Sequence, residues 1–151
     1  MGKGGVQNMY EATYVAKHII SVCNKHNIEI SNLKLQKMLY FAWIEYYKQK
    51  NEKLFLNPIC AWKLGPVVPD VYYDYCIYAG YPIPDVNFDA ESSELKCLEK
   101  TILHFASMNV SKLVDITHEE GKPWTNIYKD GRGNRHEIPF NLIIDLECKE
   151  A

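Results

Sequence analysis

Cys23 and His26 stand three residues apart, a spacing at which one helix end could offer two ligands to a metal, but no second Cys/His pair lies near enough in sequence to complete a tetrahedral site. A buried thiol and a helix-terminal histidine favoured by the helix dipole explain the pair as well. His118-Glu119 begins like the zinc-protease helix motif and then fails, because Lys122 occupies the place of the second histidine. Gly131-Arg132-Gly133-Asn134-Arg135 lacks both the preceding strand and the Gly-Lys-Ser/Thr ending that cradle nucleotide phosphates. Arg132 and Arg135 remain candidate surface contacts from what otherwise reads as a solvated turn. Five cysteines and five histidines could make a nucleophile pair only through a tertiary contact that spacing does not supply. These residues point away from an enzyme, and no catalytic residue, metal or cofactor is expected.

Polar residues set among aromatic ones are more informative. Lys37 projects by helical angle between Leu33, Tyr40 and Ile44, so its ammonium must be paired, stacked on a ring, carried outward along its stem or spent on a buried carbonyl, or else serve as a polar anchor in a partner-binding groove. Trp62, Trp124 and the tyrosines at 72, 73, 75, 78 and 81 suit either a core or an interface. Helical spacing assigns Trp62, Tyr72 and Tyr75 to the core. Tyr73 and Asp74 fall off that stripe and are candidate surface contacts.

The elements that must hold these residues are mostly helical. Ala12, Val15, Ala16, Ile19, Ile20 and Cys23 recur at helical steps and predict a helix over Tyr10 to Lys25. Ser31 is an N-cap for a second helix with two apolar faces, Leu35, Met38, Leu39, Ala42 and Tyr46 on one and Leu33, Tyr40, Ile44 and Tyr47 on the other. Such a helix belongs at the centre of a bundle. Ile59 to Leu64 reads as extended, Gly65-Pro66 breaks the chain, and Pro69 starts a helix striped by Val68, Val71, Tyr72, Tyr75 and Ala79 with Gly80 as its cap. Tyr81 through Glu91 is a long loop; Ser92 or Ser93 caps a fourth helix; Ser111 to His118 makes a fifth. Pro123 opens a turn carrying Trp124, and Pro139 opens a last helix with Phe140, Ile143 and Leu146 inward. The expected fold is mainly α, a single compact helical domain of about six helices spanning 10–148, with at most a short two-stranded β ribbon, behind a flexible tail at 1–9.

Composition agrees with that class. The 151 residues are 47% hydrophobic and 24% charged, and a chain of this length buries roughly 70% of its unfolded surface without metal or disulfide support. A formal net charge of −2 gives no broad positive field, so a nucleic-acid partner is not expected. Five scattered cysteines without CxxC spacing read as reduced thiols. No signal peptide is visible, and the longest apolar run, Met38 to Ile44, falls far short of the roughly 20 residues that span a bilayer. A cytoplasmic protein with no membrane partner is expected.

Three segments in order, Leu-Lys-Leu-Gln-Lys-Met-Leu-Tyr-Phe (33–41), Ala-Trp-x-x-Gly-Pro-Val-Val-Pro (61–69) and His-Glu-x-x-x-Pro-Trp (118–124), resemble the Panacea domain, a family of antitoxins and antitoxin-like prophage proteins formerly grouped as SocA-like and GepA-like. The resemblance covers Leu35, Lys37, Leu39, Tyr40, Trp62, Gly65, Pro66, Val68, Pro69, His118, Pro123 and Trp124, either as scaffold or as partner-binding residues. It implies a helical, non-catalytic binding module that neutralises a cognate protein toxin by direct contact within a toxin-antitoxin system. The alternative it carries is a prophage-associated proteolytic adaptor, with a protease as second partner, or a nucleic-acid-associated factor.

Overall fold

Helix α2 (Asn32–Lys50) buries twelve of its nineteen residues, which is what its two apolar faces demand. The computed structural model describes residues 9–90 and 93–149; apart from Met9, the expected tail at 1–9 lies outside the described residues, as does Ser92. The Ser31 hydroxyl caps α2 by accepting from the Lys34 N–H at 3.3 Å, and Asn51 ends it in the left-handed conformation (φ 57°). Against it lies α1 (Ala12–Lys25), whose whole predicted stripe, Ala12 to Cys23, is fully buried. His26 ends α1, its Nδ1 lying 2.9 Å from the Val22 carbonyl.

Two proline-led helices begin where the sequence places them, α3 (Pro69–Tyr75) and α6 (Pro123–Tyr128). α3 is shorter than its stripe suggests. It passes into a 3₁₀ turn over Cys76–Tyr78, and the residue that takes a positive φ is Ala79 (53°), not Gly80. The Tyr81–Ala90 stretch is irregular yet tied down. The Ile83 N–H donates to the Ile30 carbonyl at 2.9 Å, the Ser21 hydroxyl donates to the Phe88 carbonyl at 3.1 Å, and Phe88 meets Tyr14 edge-on at 5.1 Å.

Ser93 caps the fourth helical segment, which is a 3₁₀ stretch (Glu94–Leu98) before it becomes α4 (Glu99–Ala106). α5 (Val110–Thr117) starts one residue earlier than expected because the Asn109 side chain, accepting from the Ser111 N–H at 2.8 Å, is its cap. α7 (Phe140–Ile143) continues as a π-helical turn over Ile144–Cys148. A π turn advances each residue by a smaller angle than an α turn, and Leu146, expected inward, is accordingly rotated out to 40% exposure. Trp43 fills the space between Tyr47 and Phe140, stacked at 5.8 and 5.0 Å, and donates its indole N–H to the Phe55 carbonyl at 3.0 Å.

The remaining regular element is a hairpin. β1 (Cys60–Trp62) and β2 (Gly65–Val67) pair antiparallel, Ala61 opposite Pro66, across the two-residue turn Lys63-Leu64. Strands of three residues cannot stand alone. β1 is supported on its other edge by the chain after α6: the Ala61 N–H donates to the His136 carbonyl at 2.8 Å and the Arg135 N–H to the Ala61 carbonyl at 2.6 Å. β2 lies against α2. The molecule is thus one mainly α domain, seven α-helices and one two-stranded ribbon among the described residues. None of those helices is long and apolar enough to cross a membrane.

Candidate functional site

Three polar side chains on one side of α2 hold the hairpin and α3 in place. Lys37, with no exposed surface, donates its Nζ to the Pro66 carbonyl at 2.7 Å. Pro66 suits this edge position, because its missing N–H leaves no donor stranded beside the carbonyl that Lys37 caps. One residue earlier on the helix, the Gln36 Oε1 accepts from the Val68 N–H at 2.9 Å while its Nε2 donates to the Asn32 Oδ1 at 3.0 Å. Asn32 in turn donates its Nδ2 to the Tyr72 carbonyl at 3.1 Å. The backbone partners fix both carboxamides, since an N–H can only donate and a carbonyl can only accept.

Gly65 is where the hairpin comes closest. Its φ is +118°, and a Cβ there would lie 2.8 Å from Lys37 Cε and 2.9 Å from Thr117 Oγ1. Beyond Thr117, the His118 ring stacks on Trp124 at 3.7 Å with 2° between planes, and the Trp124 indole N–H donates to the Trp62 carbonyl at 2.7 Å. Lys37, Gly65, Pro66, His118, Trp124 and the Trp62 backbone therefore form one clasp around the ribbon. Of the other sequence-marked residues, Leu35, Leu39 and Val68 lie in the core, while Pro69 and Pro123 start their helices. Tyr40 reaches elsewhere, its buried hydroxyl donating to the Glu147 carboxylate at 3.0 Å.

The clasp contains unusual electrostatics. Burial, with no carboxylate to offset it, pulls the Lys37 amine down from 10.5 to about 7. Burial lowers His118 as well, and the neighbouring Lys37 charge lowers it further. Its Nε2 is buried without a hydrogen-bond partner among the described residues. Burial also raises the Cys23 and Cys148 thiols to about 11, so neither offers a thiolate near neutrality. Among the described residues no group of three or more His, Cys, Asp or Glu is placed to hold a metal.

On the outward side of the hairpin lies a groove of about 270 Å³. Asn32, Leu33 and Gln36 form its floor, Trp62 and Tyr72 a wall, and Leu64 a lip. Trp62 and Tyr72, expected in the core, are only half-buried. The reason is strand parity: Ala61 points inward, so Trp62 must point out. Its ring meets Tyr72 at 4.9 Å and Tyr73 at 6.2 Å, and the Arg135 guanidinium sits over it at 4.1 Å. Around the groove Leu64, Tyr73 and Ile77 are 50%, 59% and 82% exposed, whereas Tyr75 is in the core as expected.

Of the four residues read as surface contacts, Tyr73 and Arg135 come together at Trp62. Asp74 is exposed on α3 outside the groove lining. Arg132 is elsewhere, donating its Nε to the Lys129 carbonyl at 3.2 Å beside a separate shallow hollow. Sequence reasoning passed over Asn32, Gln36 and Leu64. The four-residue step from Asn32 to Gln36 inside an apolar helix, and a two-residue turn directly after Trp62, were the available signals.

Two comparisons bear on this arrangement. The family model described as "Antitoxin SocA-like, Panacea domain" matches residues 35–125, which take in the hairpin, α3, α5 and both tryptophans of the clasp. Antitoxin SocA of Caulobacter vibrioides is 32% identical over 139 residues, covering 82% of this chain and 72% of that protein. The chain belongs to the SocA-like Panacea family. No solved structure matches. For this Panacea domain, membership suggests a non-enzymatic, antitoxin-type role and a toxin as partner in general terms. Much of the family-marked sequence builds the clasp: the matched interval contains Lys37, Gly65, Pro66, His118 and Trp124 but ends before Arg135 and α7.

Proposed function

We propose that this protein is an antitoxin that works as a non-catalytic binding module, occluding a cognate protein toxin through the groove formed by Trp62, Tyr72 and Leu64. The observation that carries the reading is the groove itself. Trp62 and Tyr72 stand partly exposed beside Leu64, which is 50% exposed, on and next to a hairpin whose backbone is locked from behind by Lys37, Gln36 and Trp124. Aromatic anchors on a pre-organised surface are what concentrate binding energy at protein interfaces. No cofactor is required, and five free thiols suit the cytoplasm.

The test is growth. The neighbouring open reading frame is expressed from an inducible promoter with and without this protein; relief of toxicity by the wild type, and loss of relief by Trp62→Ala in a folded variant, is the expected outcome. A neighbour that is harmless, or whose toxicity persists, sinks the antitoxin reading and moves weight to a proteolytic adaptor role. Copurification with a protease would then be the next measurement.

A further inference from the structure

Resting on the binding-module reading, the chemistry of the groove narrows what can enter it. The groove offers spare donors on its floor and a cation at its rim. The Asn32 and Gln36 carboxamides each spend their oxygen and one N–H on internal bonds, to the Tyr72 carbonyl, to the Val68 N–H and to each other. A carboxamide nitrogen carries two hydrogens, so each keeps one N–H for which the described residues provide no acceptor. Both residues are buried on the groove floor, where an unmet donor is costly until a ligand or water meets it. Among the described residues Lys63, in the hairpin turn, is the one charged residue of the lining, which holds no carboxylate. Arg135, outside the lining, adds a second positive charge over the Trp62 ring. The two carboxylates of α3, Asp70, which accepts from the Asn57 side chain at 2.8 Å, and the exposed Asp74, both stand outside the lining.

We infer that the groove receives a segment of the partner protein in which one large apolar side chain is flanked by carboxylates. The apolar side chain seats between Trp62, Tyr72 and Leu64; about 270 Å³ accommodates one leucine- or phenylalanine-sized group with part of its backbone. A flanking carboxylate meets Lys63, and acceptor atoms of the segment, carboxylate or backbone carbonyl, meet the spare N–H groups of Asn32 and Gln36. Apolar contact supplies the anchor, and charge supplies the choice between segments. The overall charge of −2 makes this preference local to the groove and not a property of the whole surface.

The probes are fluorescently labelled peptides of roughly a dozen residues, each with a single Leu or Phe set among Glu, Gln or Lys, titrated at low ionic strength where local charge is least screened. The Glu peptide is expected to bind more tightly than the Gln peptide, and at least tenfold more tightly than the Lys peptide, with the margin shrinking as salt is added. Lys63→Glu, an exposed substitution whose melting curve checks folding, should reverse the Glu/Lys order, and Leu64→Ser should weaken all three alike. No binding by the Glu peptide, an order unaffected by Lys63→Glu, or tighter binding of a single-stranded oligonucleotide than of the Glu peptide would each overturn the inference. Failure here is separable from failure of the antitoxin reading. A Lys63→Glu protein that protects cells as fully as wild type removes the charge preference and leaves the antitoxin role standing. A wild type that relieves no toxicity but ranks the peptides as stated does the reverse.

Discussion

Raising the pH from 7 to 8.5 should make this protein more stable, and Lys37 is the reason. In the folded state its amine is held at about 7, against an ordinary value of 10.5. Between those two values the unfolded chain carries a proton that the folded chain does not, so each pH unit gained shifts the equilibrium toward the folded state by up to tenfold. Starting at pH 7, where the folded amine is half-protonated, the gain by pH 8.5 is about 2 kcal/mol. Below pH 7 the penalty levels off at its full value, about 5 kcal/mol for a shift of this size, which is an upper figure for a buried amine whose surroundings can relax. Two thiols oppose the trend. Cys23 and Cys148 are raised from 9.0 to about 11, so the unfolded chain ionises them first, but at pH 8.5 this removes only a few tenths of a kcal/mol. The clean comparison is therefore with Lys37→Met, which keeps every thiol and histidine and removes only the amine. Urea unfolding followed by tryptophan fluorescence at pH 7, 7.8 and 8.5 should show the wild type gaining about 2 kcal/mol relative to the variant across the window. Parallel pH profiles for the two proteins would refute the assignment of a depressed lysine to this site.

Further outcomes follow from the clasp, the groove and the turn after α7. Gly65→Ala forces a side chain into φ +118° and against Lys37 and Thr117, and should cost about 2 to 4 kcal/mol in urea unfolding; wild-type stability would show that the hairpin does not approach α2 so closely. Trp62→Ala removes a half-buried ring and should cost about 1 to 2 kcal/mol, less than the 3 to 5 of a core tryptophan such as Trp43, while Tyr73→Ala stays within about 0.5 kcal/mol of wild type; equal losses for Trp62→Ala and Trp43→Ala would put the groove wall in the core. Tyr40→Phe deletes the hydrogen bond to Glu147 and should cost about 1 to 3 kcal/mol, with the loss read in thermal unfolding; no change would mean that this bond does not anchor the turn after α7.

The helices were legible because their signals are local. The α1 stripe, the Ser31 cap and the prolines at 69 and 123 each act within a turn or two of themselves, and the structure keeps all of them. Helical spacing puts Trp62 in the core, but the residue sits in a strand, where alternation with Ile59 and Ala61 decides the side. The end of α3 differs from the expected one because Ala79 takes the positive φ that composition would assign to Gly80. For Lys37 the sequence narrowed the choice to a few fates, a capped buried carbonyl among them, but the carbonyl belongs to Pro66, twenty-nine residues away. No periodicity reports such a partner. The groove was invisible for the same reason: its floor and its wall come from separate elements that meet only in the fold.

A buried lysine with no counter-charge among the described residues is a poor way to gain stability, and well-packed apolar residues often do better in such places. Its use here makes sense through the hairpin. Two three-residue strands cannot fix their own position, and β2 faces a helix, which has no free backbone donors or acceptors to offer a strand edge. Something on α2 must supply them. Lys37 and Gln36 do so at consecutive positions, one donating to the Pro66 carbonyl and the other accepting from the Val68 N–H, so the strand edge can seat on α2 in one register only. A one-residue slip would leave both the carbonyl and the ammonium buried and unmet, a cost of several kcal/mol that no apolar contact imposes. That register also sets where Trp62, Lys63 and Leu64 stand at the surface. The polar clasp thus trades stability for a fixed groove, and a fixed groove loses little further entropy when a partner arrives.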